Sequence, residues 1–251
     1  MPKYNNPPII ESVCEIRFTE DTEWDLTIPG LIFEDIRSEY PQKGQRSTQE
    51  INISTSNTHP VTTRHQIKRQ DYAVFSTNDT KSSIQVSGRV LLTNRLKPYQ
   101  SWTDFRSQIN TAFETLCKRT KLAGVQRIGL RYINKIEIPT DNGKVKMDNY
   151  FDFRPFCGTR LPQTHADFKV SCIFPYYDNR DACKVDLLSA MPDKQGSMAF
   201  LLSLDYFLAK PRSIPVSQTI EWIESAHGQV ENLFEGCILP PLREIFQEVK
   251  E

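Results

Sequence analysis

Arg127-Ile128-Gly129-Leu130-Arg131-Tyr132-Ile133-Asn134-Lys135-Ile136 reads as a β-strand with two unlike faces. Side chains in a strand alternate with period two. Ile128, Leu130, Tyr132 and Ile136 therefore fall on one side, and Arg127, Gly129, Arg131 and Lys135 on the other. The stretch lies near the middle of the chain, directly after an amphipathic helical pattern. That position predicts a central strand, with one face on the core and the other toward water or a partner.

Working backward, residues 102–119 carry the clearest helix signal. Ser101 is an N-cap and Asp104 suits the positive helix end. Trp102, Phe105, Ile109, Ala112, Phe113 and Leu116 form an apolar stripe. Lys118, Arg119 and Lys121 favour the C-terminal end, and Ala123-Gly124 is expected to close the helix. Strands are expected at 10–18, 49–55, 61–76 and 83–95, with a short helix at 31–40 ended by Pro41 and a turn at Asn78-Asp79. Working forward, Thr140-Asp141-Asn142-Gly143 is a turn, and 144–164 is an aromatic-containing loop. Strands at 166–177, 182–190 and 197–207 precede a helix that starts at 216 or 217 and runs to about 234. On that helix Ile220, Ile223, His227, Val230 and Phe234 share a stripe. Pro240-Pro241 interrupts it before a last short helix at 242–249.

Three antiparallel strands followed by a helix occur twice, and the helices are too few to cross over between every strand pair. The fold class expected is α+β: a largely antiparallel, curved sheet packed on long helices, in two pseudo-repeated βββα halves. The whole chain, 1–251, is read as a single domain with halves 1–140 and 141–251.

The 251 residues are 38% hydrophobic and 25% charged, which suits a globular chain with a sizeable core. No apolar run resembles a signal peptide or a membrane span, so the chain reads as cytosolic. Cys14, Cys117, Cys157, Cys172, Cys183 and Cys237 form no CxxC pair and are read as buried free thiols. Net charge is zero but segregated. Residues 59–135 hold fourteen Lys and Arg against four Asp and Glu, and each flank is net acidic. Segregation of this kind points to an anionic partner or to self-complementary assembly. It also fits a basic middle that pairs with the acidic flanks of its own chain.

No P-loop, dinucleotide-binding, zinc-protease or serine-hydrolase motif is present. No catalytic, cofactor-binding or metal-binding set is assigned. His65, among cations in Arg64-His65-Gln66-Ile67-Lys68-Arg69, could serve a metal-independent ribonuclease as a base, or could be a polar strand edge. His227 is a core histidine or an acid–base group. His59 and His165 lie in turn or loop sequence. The pairs Glu11/Glu15 and Asp178/Asp181 are surface charge or a magnesium site. The constellation that stands out is Arg64, Lys68, Arg69, Arg89, Arg95, Arg127, Arg131 and Lys135, from neighbouring strand candidates. Sharing one sheet face, these would attract phosphates, with Tyr72 and Tyr99 as the nearby rings for stacking.

Three stretches carry a resemblance. Asn6-Pro7-Pro8-Ile9-Ile10-Glu11, the central Arg127–Ile136 segment, and Asn232-Leu233-Phe234-Glu235 followed by Leu242-Arg243 resemble an uncharacterised, sporadically distributed bacterial family of similar length. Leu239-Pro240 departs from that pattern, which would have a small polar cap there. The resemblance implies no activity and no residue role. Its patchy distribution is similar to that of genes in mobile or defence loci. The function expected is a non-enzymatic interaction protein, of the accessory, antitoxin or immunity type in a bacterial defence or toxin system. The expected partner is a protein or a second copy of the chain, without a membrane. A nucleic-acid-binding protein and a ribonuclease are the alternatives.

Overall fold

The computed structural model describes residues 3–55, 63–162 and 167–249, with side chains throughout except at 49–55 and 63–68. The first five strands are β1 (Ile9–Phe18), β2 (Gln42–Thr55), β3 (Thr63–Ser76), β4 (Ser82–Ser87) and β5 (Val90–Leu96). The other four are β6 (Val125–Pro139), β7 (Lys169–Tyr176), β8 (Asp181–Ala190) and β9 (Ser197–Leu208). All nine join one sheet in the order β2-β3-β4-β5-β1-β6-β9-β8-β7. Every ladder is antiparallel. The chain is thus a mixed α/β protein on a large, open antiparallel sheet.

The opening stretch lies inside β6, which pairs with β1 on one side and β9 on the other. Its alternation holds: Ile128, Leu130, Tyr132 and Ile136 are buried, and Arg131 is exposed. Two arms hang from the β1–β6 pair. In each, a strand is followed by an antiparallel meander whose last strand returns beside it, β5 to β1 and β9 to β6.

The arms are unequal because residues 83–95 are a hairpin and not one strand. Gly88-Arg89 forms its two-residue turn, with Arg89 at φ 64. Ser87 pairs with Val90, so Val86 faces Leu91 across the hairpin. The buried set on the core face is therefore Ile84, Val86 and Leu91. The alternation that carried Val90 and Leu92 onto that face jumped the turn. The Gly-Arg order also lacks the Asn-Gly or Asp-Gly signature of a tight hairpin.

Four helices are described: α1 (Ile28–Ile36), α2 (Trp102–Arg119), α3 (Thr219–Cys237) and α4 (Pro240–Ile245). α2 has the bounds expected of it. Ser101 Oγ accepts from the Asp104 amide at 3.1 Å, which satisfies one of the orphan donors at a helix start. Its chain ends at Thr120 in extended conformation, three residues before the expected Ala123-Gly124 closure. α1 begins and ends earlier than expected. It buries Ile28, Ile32 and Ile36, one turn apart, and leaves Leu31 exposed. α3 turns Trp222, Ile223, Ala226 and Val230 inward, so its buried stripe is rotated slightly and His227 stands at its margin. α2 packs on β5, and α3 on β6 and β9. No helix among the described residues is long and apolar enough to cross a membrane.

The described cysteines are free: Cys14, Cys183 and Cys237 are buried, Cys157 is half-buried, and Cys117 and Cys172 are exposed. Burial holds the Cys14 thiol far above its ordinary range and pushes Cys183 and Cys237 up to about 12, which keeps them protonated.

Asp181, at the start of β8, is a buried carboxylate at the α3–sheet contact. It accepts from Trp222 Nε1 at 3.1 Å and from Tyr206 OH at 3.3 Å, and pairs with Arg180 at 2.7 Å. This set leaves little room for a metal reading of Asp178/Asp181. Asp181→Ala would strand two buried donors and a cation. Urea denaturation should show a loss of about 3 kcal/mol, whereas exposed Asp178→Asn, which keeps a residue type tolerant of its φ of 52, should cost less than about 0.5 kcal/mol.

Candidate functional site

Ladder register puts Arg127, Arg131 and Lys135 on the face of the sheet opposite the core, where Arg127 and Arg131 meet polar groups of adjacent strands and Lys135 meets carboxylates of its own strand and of the β8–β9 loop. Arg127 pairs with Glu15 on β1 and Asp205 on β9, both at 3.2 Å, and lies 5.0 Å over the Phe207 ring. Glu15 also holds Arg17 at 2.7 Å. Arg131 is directly opposite Asp205 and donates to Ser203 Oγ at 2.9 Å. Lys135 meets Asp193 at 2.5 Å and Glu137 at 3.8 Å. Gly129 permits this arrangement. A Cβ there would stand 2.5 Å from Arg127 Nη1, so the guanidinium lies where residue 129 has no side chain.

The remaining predicted cations are scattered. Arg69 is exposed on β3, paired with Asp71 at 3.1 Å. Arg89 is in the β4–β5 turn and donates to Thr22 O at 3.0 Å. Arg95 is opposite Ser12, whose neighbours in register face the core, so it lies on the other side of the sheet from Arg127. Arg64 and Lys68 lie on β3, but their side chains are outside the described residues, as is that of His65. His59 and His165 are outside the described residues altogether. Glu11 accepts from Asn94 at 3.0 Å while Glu15 serves arginines. Among the described residues, no group of three His, Cys, Asp or Glu could hold a metal ion.

The far edge of the sheet is a second surface. β7 pairs only with β8 among the described residues. Ile173 is 61% exposed and Phe174 39%, and these neighbours point to opposite faces. Tyr177, just beyond the strand, is 53% exposed. Natural edges are commonly blunted by charge, proline or bulges. Here Lys169 and Pro175 stand near the ends, and the segment between them is uncharged.

A third feature is an open cleft on the core side, of about 140 Å³. All three stretches that carry the family resemblance meet there. Pro7 and Pro8 come from the first, Tyr132 and Asn134 from the second, and Phe234 and Glu235 from the third. Backbone bonds tie them together: Lys135 N–H donates to Pro8 O at 2.9 Å, and Asn6 N–H to Phe246 O at 2.9 Å. Across the cleft runs a chain of polar groups. Tyr99 OH is 3.2 Å from Tyr132 OH, Tyr132 OH is 3.3 Å from His227 Nδ1, and His227 Nε2 is 3.2 Å from Glu231 Oε1. Trp102 stacks on His227 with centroids 4.0 Å apart. Burial pushes Tyr99 up to about 12 and Tyr132 further, so both phenols remain protonated donors. The His227/Glu231 spacing of one helical turn was legible in the sequence. The meeting of Tyr99, Tyr132 and Tyr4 was not, because it depends on sheet register and on how the N-terminal segment docks.

These observations define a mixed α/β protein with one open antiparallel sheet, a compensated charge lattice on one face and an aromatic cleft under the other. No protein-family model matches the chain, and no curated protein matches it.

Two measurements probe the lattice. Arg127→Ala should cost about 2 kcal/mol near neutral pH, because it takes the paired cation from half-buried Asp205 and leaves Glu15 with Arg17 alone. Gly129→Ala should cost about 1 kcal/mol alone by displacing Arg127, and nothing further in the Arg127→Ala background, as a double-mutant cycle would show. Asp205 adds a pH dependence. Burial raises its carboxyl above the ordinary range against the pull of Arg127 and Arg131. A raised folded-state value means that the folded chain holds this proton more tightly than the unfolded chain. The associated stability is present below the unfolded value of about 3.9 and is lost as pH rises through the folded value. Removing Arg127 raises that value further. The deficit of Arg127→Ala should therefore be smallest near pH 4 and grow toward pH 8.

Proposed function

We propose that this chain is a non-enzymatic interaction protein that receives an extended strand of a protein partner on the free edge of β7. The observation that carries the reading is the edge itself: no second ladder partner among the described residues, apolar side chains on both faces, and no charge between Lys169 and Pro175. An incoming strand would gain main-chain hydrogen bonds along the edge and contact with Ile173 on one face and Phe174 on the other. A second copy of the chain is one partner of this kind. The motif resemblance supports placing the protein among accessory, antitoxin or immunity-type subunits of bacterial defence or toxin systems.

The nucleic-acid reading has less support. Phosphate binding draws on cations free to exchange counterions, and Arg127 and Lys135 already face carboxylates. The ribonuclease reading gains no support from the described side chains.

The double variant Ile173→Lys/Phe174→Lys tests the interaction reading. Both residues are solvent-facing, so stability should change by less than about 0.5 kcal/mol. Light scattering and affinity capture from the native host should show that the variant loses the oligomer or partner that the unaltered chain holds. An unaltered chain that is monomeric and captures nothing would overturn the proposal.

A further inference from the structure

The cleft beneath β6 has walls and charges that select a ligand class. Its rings include Tyr4, Tyr99, Trp102, Tyr132 and Phe234, its carboxylates are Glu231 and Glu235, and no Lys or Arg lines it among the described residues. The two carboxylates differ. Glu235 accepts from Tyr4 OH at 2.6 Å and is paired from outside the lining by Arg243 at 2.9 Å. Glu231 meets the His227 imidazole at 3.2 Å and is half-exposed at the mouth. The charge that Glu231 presents is therefore compensated least.

The walls are held before any ligand arrives. The Tyr99–Tyr132–His227–Glu231 chain fixes four of the side chains, and Trp102 is clamped between its stack on His227 and a 3.1 Å bond from Nε1 to Glu224. Asn134 gives an amide hydrogen to Leu202 O at 3.1 Å, which leaves its carbonyl oxygen as an acceptor. A site with aromatic faces, carboxylate and carbonyl acceptors and no lining cation repels anions and attracts positive charge. Ring faces hold cations through their quadrupoles, and desolvation strengthens the effect.

We infer that this cleft binds a small organic cation, a primary or substituted ammonium group on a flat or apolar body. The ammonium group sits toward Glu231, and the body lies against Trp102, Tyr99 and Phe234. This site is separate from the β7 edge and does not depend on a partner there.

The test is isothermal titration of the full chain with three probes that share one ring: phenethylammonium, 2-phenylethanol and phenylacetate. Phenethylammonium should bind saturably, at least about tenfold more tightly than 2-phenylethanol, a difference of about 1.4 kcal/mol. Phenylacetate should not bind. Glu231→Gln should weaken phenethylammonium by about tenfold and leave 2-phenylethanol unchanged. Equal affinity for the three probes, or no saturable binding of the cation up to about 10 mM, would overturn the assignment. The comparison among probes uses the unaltered chain, so it stands whatever a variant does to folding.

Discussion

The guanidinium of Arg127 rests in the space left by the missing side chain of Gly129, between Glu15 of β1 and Asp205 of β9. It joins the three strands at the middle of the sheet on their polar side. Directly beneath, Ile128 and Leu130 join the same strands on the apolar side. Both arms of the sheet hang from this place. A one-residue slip of β6 would exchange its two rows, putting charge into the core and leucine and isoleucine into water. The two unlike faces of β6 therefore set the register of the whole sheet, and the helices follow by packing on whichever face is apolar.

The same constraint brings part of the segregated charge together. Fourteen cations are concentrated in residues 59–135, and β-pairing sets Arg127 of that segment beside Glu15 of β1 and Asp205 of β9. Half-buried pairs of this kind contribute through geometry more than through number. Their main effect here is to hold strand order and face, with Phe207 supplying a ring under Arg127.

The core side is different in character. There the sheet carries rings, and the N-terminal segment and the end of α3 close over them to leave a cleft lined by rings and by polar groups, several of them bonded to one another. Stretches at the start, middle and end of the chain contribute to it. Its shape depends on Tyr4 packing against Phe234 and Phe246 as much as on the sheet.

Local pattern was enough for β1, α2, β6 and the approximate course of β7 to β9, because each is governed by near neighbours: alternation, a capping serine, a turn. The two faces of β6 were legible for the same reason; the one-turn spacing that joins His227 to Glu231 is also local, but the sequence reading named only His227. Local pattern failed at Gly88-Arg89, where alternation continued across a hairpin whose turn carries Gly but not the Asn-Gly or Asp-Gly signature. It also misplaced the limits of α1, where tertiary burial of Ile28 outweighed the helical spacing read toward Tyr40. Only the tertiary structure decided which carboxylates stand beside Arg127 and Lys135, that Arg95 faces away from them, that β7 is the last strand of the sheet among the described residues, and that three distant stretches enclose one cleft. The physical reason is range. Alternation and capping act over a few residues, whereas ion pairs, strand edges and cavity walls are made by groups that only pairing and packing bring together.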